Sequence, residues 1–448
     1  MLAVLNAHNL NMNHSSSLPT PLPDFAAFIG MDWGDQTHAV SLCAAGTSVI
    51  ERTTLQQTPE ALAQWANQLR TRFPDRKIAL AIEECRGGLL SGLMQYEHIV
   101  LFPINPKCLA RFREALFPNA PKDDVGDADL ALEILLKHPN HLRPWLPDTV
   151  QTRQLALVNE QRRHFVDHRT GLTNELTSHL KAIFPQALQL LGQDLASAMA
   201  TDFLKKWPTL QAVQKAPAHQ LRQFYYGHNS RASKLMTQRL ELVANAMALT
   251  NDPALLSAHS LAIQTLAAQL AALRPFIDQY DQQIAQLFAA HPDAPIFQTL
   301  PGAGPLLAPR LLASLGTDRT RFANPQALSC YSGIAPVTEQ SGKSQRWVHV
   351  RWSCPKFLRQ SWHEFANCSI RFSSWARTCY DEFRRRMDHH EAIRKLAFKW
   401  QRIIWRMWQQ RQPYDEARYV ASLQNKGHKL FPAPTNPSEQ KTQNPLTD

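Results

Sequence analysis

The chain has 448 residues, 44% of them hydrophobic, and a formal net charge of +11, which allows two or three domains with real cores and favours a polyanionic partner. The seven cysteines include no Cys-x-x-Cys pair, which argues against a zinc site or a disulfide framework and favours a reduced, cytoplasmic protein. No uninterrupted apolar run reaches about 18 residues and the N-terminus lacks a signal-peptide pattern, so we expect no membrane span.

The chain begins with residues 1–24, whose Asn, Ser, Pro and His content predicts a disordered tail. Residues 25–150 then alternate strand-like and helix-like segments, which predicts an α/β layer. The predicted strands are Ala26–Asp32, Ala39–Ala44, Lys77–Ile82 and His98–Pro103, and the predicted helices are Pro59–Phe73 and Asp127–Leu136.

Four carboxylates stand out in this region. Asp32 and Glu83 each end an apolar strand, where a charge is unfavourable unless something compensates it. Asp124 and Asp127 are three residues apart, so they would share a side of the helix if Asp124 begins it, and a bound cation would relieve their repulsion. Mg²⁺ or Mn²⁺ is the expected cation, because hard divalent ions take oxygen ligands and promote the cutting and joining of phosphodiesters.

Two alternatives remain open for these acids. Asp124 and Asp127 could simply favour the first turn of a helix, where aspartate is common. Glu84 competes with Glu83, because alternate side chains of a strand point in opposite directions and only one can face the site. We favour Glu83, which directly follows the apolar run, and we expect Asp129 to be solvated.

Residues 151–290 are predicted to be largely helical, with a coiled-coil character. A strict heptad pattern of apolar side chains is formed by Ile263, Leu266, Leu270, Leu273, Ile277, Tyr280, Ile284 and Leu287. Pro275 lies within this pattern and predicts a kink. The pattern fits either a helical hairpin within one chain or a dimerising arm that carries two copies of the protein.

Residues 291–412 contain two motifs that could contact nucleic acid. Gly302 and Gly304 lead into a predicted helix and would let backbone N–H groups approach a phosphate, as in a helix-hairpin-helix turn, although a plain tight turn is the alternative. Ser341 is a candidate nucleophile, and Lys343 and Arg346 are candidates to hold a phosphate and stabilise its transition-state charge. A surface turn is the alternative for this second motif.

Basic and aromatic residues are concentrated toward the end of the chain. Seven of the 11 tryptophans lie between residues 341 and 411, among many Lys and Arg. They could belong to core helices with a basic outer face, or they could provide phosphate contacts and stacking platforms. Residues 413–448 are predicted to form a mostly disordered C-terminal tail.

The order of these motifs resembles the DEDD transposases of the insertion-sequence one-ten family, relatives of the Piv DNA invertase. The resemblance covers about residues 25–410. It is carried by Gly30-Met31-Asp32, Glu83-Glu84-Cys85-Arg86-Gly87, Asp124-Val125-Gly126-Asp127, Pro301-Gly302-Ala303-Gly304-Pro305, Tyr331-Ser332-Gly333-Ile334-Ala335-Pro336 and Ser341-Gly342-Lys343. Two departures are a single glycine after the serine and Asp123 in place of the commoner threonine.

The resemblance implies a RuvC-like, RNase H-like fold for residues 25–150, a coiled-coil linker and a mainly α-helical transposase domain. It implies that Asp32, Glu83, Asp124 and Asp127 bind the metal and that Ser341 forms a covalent link to DNA. It also implies a structured guide (bridge) RNA as a partner, a homo-oligomer (dimer or tetramer), and action at the nucleoid of a bacterial cytoplasm.

We therefore expect an RNA-guided, Mg²⁺-dependent transposase that moves its own insertion sequence. Two other functions stay open. The first is a metal-dependent junction resolvase without a covalent serine step. The second is a non-catalytic nucleic-acid-binding protein in which the acids only cap helices and form ion pairs.

Overall fold

The structure is a computed structural model that describes residues 24–83, 88–117, 123–341 and 345–431, without the side chains of Ser341, Gln345 and Arg346. It contains two compact units. One is formed by Leu157–Ala290, and the other is formed by the chain before and after that segment. The first predicted tail lies almost entirely outside the described residues.

A five-stranded mixed sheet forms the centre of the N-terminal part, with the strand order β3-β2-β1-β4-β5. β1, β2 and β3 pair antiparallel, whereas β4 pairs parallel with both β1 and β5. The strands are β1 Ala27–Asp32, β2 Thr37–Ala44, β3 Ile50–Gln56, β4 Ile78–Glu83 and β5 Ile99–Ile104. The helices here are α1 Pro59–Arg72, α2 Gly88–Leu93, α3 Pro106–Leu116 and α4 Asp124–Lys137.

All four predicted strands are present, with ends shifted by one or two residues. β3 was not predicted, because it is an edge strand in which only Leu55 is buried and the apolar alternation is missing. α4 begins at Asp124, three residues before the predicted start, since the Asp123 side chain caps the helix by accepting a hydrogen bond from the Gly126 N–H at 2.7 Å.

α4 packs directly on β1, and Gly30 permits this close approach. A Cβ atom at Gly30 would lie 2.0 Å from the Ala128 carbonyl oxygen and 2.4 Å from the Leu132 nitrogen. Only a residue without a side chain can therefore occupy this position of the strand. The contact sets the distance between α4 and the carboxyl ends of β1 and β4.

The second unit is entirely helical within its described residues. Its helices are the part of α5 (Val150–Ile183) from residue 157 onward, α6 Ala187–Leu191, α7 Ala198–Lys206, α8 Leu210–Gln214, α9 Ala218–Gly227, α10 Ser233–Asn245 and α11 Pro253–Ala289. α5 and α11 run antiparallel, since Arg162 pairs with Asp281 while His179 lies 2.8 Å from His259 between their Nδ1 atoms. The heptad positions Ile263, Leu266, Leu270, Ile277 and Ile284 are buried inside the chain.

This burial supports the helical hairpin within one chain; the coiled coil between copies stays a prediction. Among the residues that the structure describes, α11 is the one helix whose length and apolar composition would allow it to cross a membrane. One such helix is weak evidence, and several of its apolar side chains pack in the core of the helical unit.

The C-terminal part is mostly helical and contains one hairpin. Its elements are α12 Ala294–Gln298, α13 Gly304–Leu315, α14 Pro325–Tyr331, β6 Val337–Ser341, β7 Gln345–His349, α15 Lys356–Ser369, α16 Ser374–Arg384, α17 His389–Gln410 and α18 Glu416–Asn425. α18 lies within the predicted C-terminal tail. It forms because Asp415 caps it and Tyr419 packs on Trp375, with ring centroids 5.2 Å apart.

Most of the clustered tryptophans belong to the core. Trp362, Trp375, Trp400 and Trp408 are fully buried. The indole N–H of Trp400 donates to Ser369 Oγ at 2.9 Å, and that of Trp408 donates to the Gly316 carbonyl at 2.7 Å. The interpretation as core helices with a basic outer face therefore holds for most of this region, and the exposed exceptions are Trp347 and Trp352.

Candidate metal centre and nucleophile hairpin

Three of the four predicted acids meet at one edge of the sheet. Asp32 ends β1, Glu83 ends the neighbouring parallel strand β4, and Asp127 lies in the first turn of α4. Each of them offers a carboxylate oxygen, and these three oxygens lie within 4.8 Å of one another. We call Asp32, Glu83 and Asp127 the acid cluster.

The fold explains why the acid cluster forms. β1 and β4 are paired in parallel up to Met31 and Ile82, so the residues that follow reach the same edge of the sheet. Asp127 reaches this edge because α4 docks on β1 at Gly30. Two local strand endings and one close helix contact thus create a single site.

Burial strengthens the electrostatic repulsion between the carboxylates of the acid cluster. The residues Asp32 and Asp127 are only 8% and 2% exposed, and Glu83 is half-buried. Three carboxylates at this separation repel one another in a medium of low dielectric constant. One cation already compensates part of this charge, because Arg113 on α3 forms an ion pair with Asp127 Oδ1.

The donor set fits a hard divalent cation. Asp127 Oδ2 is buried and has no hydrogen-bond partner among the described residues, and a buried polar atom of this kind normally finds one. Oxygen-only ligands of this type suit Mg²⁺ or Mn²⁺. Asp32, Glu83 and Asp127 are the side chains that could bind such an ion.

Asp124 lies apart from the three residues of the acid cluster. It is the first residue of α4, its side chain is exposed, and it does not belong to the acid cluster. Residues three apart on a helix differ by about 60° around the axis, which lets Asp127 face the sheet while Asp124 faces solvent. Its role as a fourth metal ligand stays a prediction, and the competing Glu84 lies outside the described residues.

Two other side chains near the cluster were not identified from the sequence as important. Arg113 carried no sequence signal, because it lies 14 residues before Asp127 on another helix. Asp129 was expected to be solvated; its side chain is 31% exposed and also has specific partners. Its carboxylate accepts from Ser41 Oγ at 2.6 Å and from the Arg52 guanidinium, so it fastens α4 to β2 and β3.

The candidate nucleophile lies at the end of a surface hairpin. Ser341 is the last residue of β6, and its backbone pairs with Gln345 on β7. Trp347 and Val348 on β7 are 45% and 60% exposed, so both faces of the hairpin are open to solvent. Lys343 lies outside the described residues, and the side chains of Ser341 and Arg346 do too, so their predicted roles stay predictions.

The glycines of the candidate DNA-gripping turn have different surroundings. Gly302 lies between α12 and α13, Gly304 is the first residue of α13, and the two adopt positive φ values of 78° and 55°. A Cβ atom at Gly302 would lie 2.9 Å from the Cys368 carbonyl oxygen, so this glycine is required for packing against α15. A Cβ atom at Gly304 would meet nothing within 4 Å, and this residue leaves the start of α13 open.

Known proteins are similar to this chain over most of its length. Residues 29–185 match the DEDD transposase model of IS110 elements, and residues 294–381 match the model described as the transposase IS116/IS110/IS902 family. The "Mini-circle putative transposase for IS117" of Streptomyces coelicolor is 28% identical over 408 residues, which cover 88% of this chain and 97% of that relative.

Two further relatives are similar over different lengths. The insertion element IS110 uncharacterized 43.6 kDa protein of Streptomyces coelicolor is 24% identical, over 84% of this chain and 92% of the relative. The pilin gene-inverting protein of Moraxella bovis is 36% identical over 90 residues, which cover 19% of this chain and 28% of the relative.

Proposed function

The chain belongs to the IS110 family of transposases, and from that premise we propose that it cuts and rejoins DNA through a metal-bound acid site and Ser341, guided by a structured RNA. The observation that carries the proposal is the acid cluster, in which three oxygens from separate elements lie within 4.8 Å. Acids that only capped helices or formed surface pairs would have no reason to converge in this way.

The strand order of the N-terminal sheet supports the proposal of a RuvC-like, RNase H-like domain. Its sheet order, with an antiparallel β1–β3 meander and parallel β4 and β5 on the other side of β1, is the order expected for that fold. The acids lie at the ends of β1 and β4 and on α4, where such a domain would use them.

The four acids have distinct parts in this proposal. Asp32, Glu83 and Asp127 would bind the metal, and Asp124 is proposed as the fourth ligand. When bound, Mg²⁺ or Mn²⁺ would stabilise the charge that develops on the phosphoryl oxygens. Arg113 holds Asp127 in the cluster, so the carboxylate oxygens are already oriented before DNA arrives.

Ser341 would serve as the nucleophile. Its Oγ forms a bond to the phosphorus of a DNA phosphodiester, the bond to one DNA hydroxyl oxygen breaks, and that hydroxyl leaves with the proton that the serine gives up. The phosphoserine link conserves the phosphodiester, so attack by another DNA hydroxyl rejoins the strand and releases Ser341 without an external energy source.

Other parts of the chain support the handling of nucleic acid. Lys343 and Arg346 would hold the reacting phosphate, and the open start of α13 at Gly304 would let DNA backbone approach closely, with Gly302 shaping the turn. The acid cluster and the hairpin that ends in Ser341 belong to one compact unit. The charge of +11 suits both DNA and a guide RNA, and we propose a homo-oligomer, a dimer or a tetramer, that acts at the nucleoid.

A recombination assay on two plasmids that carry the flanks of the element tests the proposal. It would compare wild type with Asp127→Asn, Asp124→Ala and Ser341→Ala, and each reaction would be probed for protein covalently attached to DNA. Asp381→Asn is the matched control, because Asp381 is an exposed acid on α16.

We expect the three site variants to lose recombination and Asp381→Asn to keep it. Wild type should show a DNA adduct that Ser341→Ala lacks. Recombination product formed by the Ser341→Ala variant would support the junction resolvase instead. Recombination by Asp127→Asn with magnesium present would contradict the metal site. Wild type that binds DNA but shows no metal-dependent chemistry would support the non-catalytic nucleic-acid-binding protein instead.

A further inference from the structure

Four basic side chains line the junction of α15 and α17, away from the residues assigned so far. Arg359 and His363 are four apart on α15, and His390 and Arg394 are four apart on α17, so each pair lies on one side of its helix. The two helices pack against each other. We call these four residues the cationic seam.

Two buried nitrogen atoms in the cationic seam are without a hydrogen-bond partner in the described part of the chain. His363 Nε2 and Arg394 Nε are both buried and lack hydrogen-bond partners among the described residues. Buried donors of this kind are rare unless a ligand or water satisfies them. Two such atoms on facing helices indicate that an acceptor from outside the chain completes the site.

The nearby acids are already committed elsewhere. Glu364 pairs with Arg310, and Asp388 caps α17 by accepting from the Glu391 N–H at 2.8 Å. Within the part of the chain that the structure describes, neither Arg359 nor Arg394 forms an ion pair with a carboxylate. The Arg359 Nη1 donates instead to the Arg351 carbonyl oxygen at 3.1 Å, so its charge is not neutralised.

The environment of His363 reflects this excess of positive charge. Burial lowers its pKa to about 4, and the charges of Arg394, Arg359 and His390 act in the same direction. His363 is therefore neutral at pH 7, and in the tautomer that protonates Nε2 it offers an uncharged hydrogen-bond donor. Attraction for an anion comes from the two guanidinium groups, which match phosphate oxygens in geometry.

An exposed indole lies at one end of the seam. Trp352 is 71% exposed, and the Arg359 guanidinium carbon lies 6.0 Å from its ring centroid. The tryptophans Trp362, Trp375 and Trp400 of the neighbouring helices are buried in the core. An exposed aromatic ring beside unpaired cations is the usual combination in proteins that bind single-stranded nucleic acid, where bases stack on rings and phosphates meet arginine.

We propose that the cationic seam binds a backbone phosphate of single-stranded nucleic acid while Trp352 stacks on the adjacent unpaired base. A duplex fits less well, because its bases are already stacked on one another and offer no free face. The inference rests on the proposed function only in taking nucleic acid as the partner, and it involves neither the acid cluster nor Ser341.

Fluorescence anisotropy with the full chain in EDTA tests the proposal without any strand chemistry. The probes are labelled oligonucleotides of about 16 nucleotides: unstructured RNA, DNA of the same sequence, and the DNA duplex. The first variants are Arg394→Gln and Arg359→Gln. Arg385→Gln is the matched control, since Arg385 is exposed and pairs with Glu382 at 2.7 Å.

We expect Arg394→Gln and Arg359→Gln to weaken single-strand binding and to reduce the slope of log K against log salt by about 0.7 to 1. Arg385→Gln should change both quantities less. The RNA and DNA arms identify which single strand is preferred. Equal effects in all three arginine variants, or equal losses on the duplex, would overturn the proposal.

Trp352 supplies a second, independent test because its exposed side chain can be replaced without disturbing the core. Trp352→Ala should weaken single-strand binding about tenfold and leave the salt slope unchanged, and Trp352→Phe should restore most of the affinity. Unchanged affinity in Trp352→Ala would overturn the stacking role. A failure here would leave the recombination assay unaffected, so the two proposals can fail separately.

Discussion

Arg113 on α3 forms an ion pair with Asp127, the most deeply buried carboxylate of the acid cluster. The pair places a cation beside three acids that could bind a divalent metal. Arg113 and a bound metal would therefore both offset the same negative charge, and the stability of the protein should depend on each of them.

Arg113→Ala should destabilise the protein mainly when metal is absent. In EDTA, Asp127 would be left buried without a counter-charge, which we expect to lower the free energy of unfolding by on the order of 3 kcal/mol. In Mg²⁺ the loss should be smaller, because the ion offsets the same charge. Denaturant unfolding in both conditions measures this difference.

Arg72→Ala is the control for this experiment. Arg72 pairs with Glu51 on the surface, with both side chains about half exposed, so its loss should amount to less than about 1 kcal/mol. It should also be the same in EDTA and in Mg²⁺. An Arg113→Ala loss that does not depend on Mg²⁺ would contradict a metal at Asp127.

Gly30→Ala should disrupt the acid cluster without changing any acid. The new methyl group would meet backbone atoms of α4 at 2.0 and 2.4 Å, so the helix must move away from β1 and carry Asp127 with it. We expect a loss of several kcal/mol, at about the upper end for overpacking. We also expect weaker stabilisation by Mg²⁺, measured as the shift in melting temperature.

Gly171→Ala is the control for Gly30→Ala. Gly171 lies within α5, and a Cβ atom added there would meet nothing within 4 Å, so alanine should stabilise the helix by about 0.5 to 1 kcal/mol. A mild effect of Gly30→Ala, similar to that of Gly171→Ala, would contradict the tight contact between α4 and β1.

His38 should make the α/β part sensitive to acid. Its side chain is buried between the Gly34 N–H, which donates to Nδ1 at 3.3 Å, and Gln57 Oε1, 2.5 Å from Nε2. Burial lowers the pKa of His38 below its ordinary value, and the hydrogen bond to Gln57 opposes this only in part. The folded state therefore takes up a proton less readily than the unfolded chain does.

The sign of the effect follows from this difference. The contribution of neutral His38 to the free energy of unfolding is fully present above the ordinary histidine pKa of about 6.5. It is lost as the pH falls toward the lowered pKa of the folded state, by at most about 1.4 kcal/mol per pH unit. His38→Asn should lose this part of the acid sensitivity. Urea unfolding between about pH 7.5 and 5.5 compares the two proteins, and identical pH profiles would contradict the prediction.

Alanine substitutions at Gly302 and Gly304 should separate an effect on the stability of the protein from an effect on its affinity for DNA. Gly302→Ala would force a side chain against the Cys368 carbonyl oxygen and strain a positive φ, whereas Gly304→Ala meets only the backbone strain, about 1 to 2 kcal/mol. We expect Gly302→Ala to lower the melting temperature more. Gly304→Ala should have the larger effect on duplex DNA affinity relative to its stability loss, and the reverse order would argue for a plain tight turn.

Local sequence patterns predicted the three acids that the structure brings together and most of the sheet. Asp32 and Glu83 follow apolar runs that could only be buried strands, and parallel neighbours must end at the same edge. Strand β3 was missed because its exposed edge position carries no apolar alternation. Helix α18 was missed because a Pro- and Asn-rich neighbourhood concealed the Asp415 cap.

The sequence by itself determined four of the five strands to within two residues, the heptad pattern and the candidate acids, because these depend on residues close together in the chain. Only the tertiary structure decided that Asp127 joins Asp32 and Glu83 while Asp124 faces solvent, that Arg113 pairs with Asp127, and that Trp352 stays exposed beside Arg359. The physical reason is that these relationships depend on how separate elements pack, as when α4 docks on β1 at Gly30, and packing contacts between distant residues leave no periodic trace in the sequence.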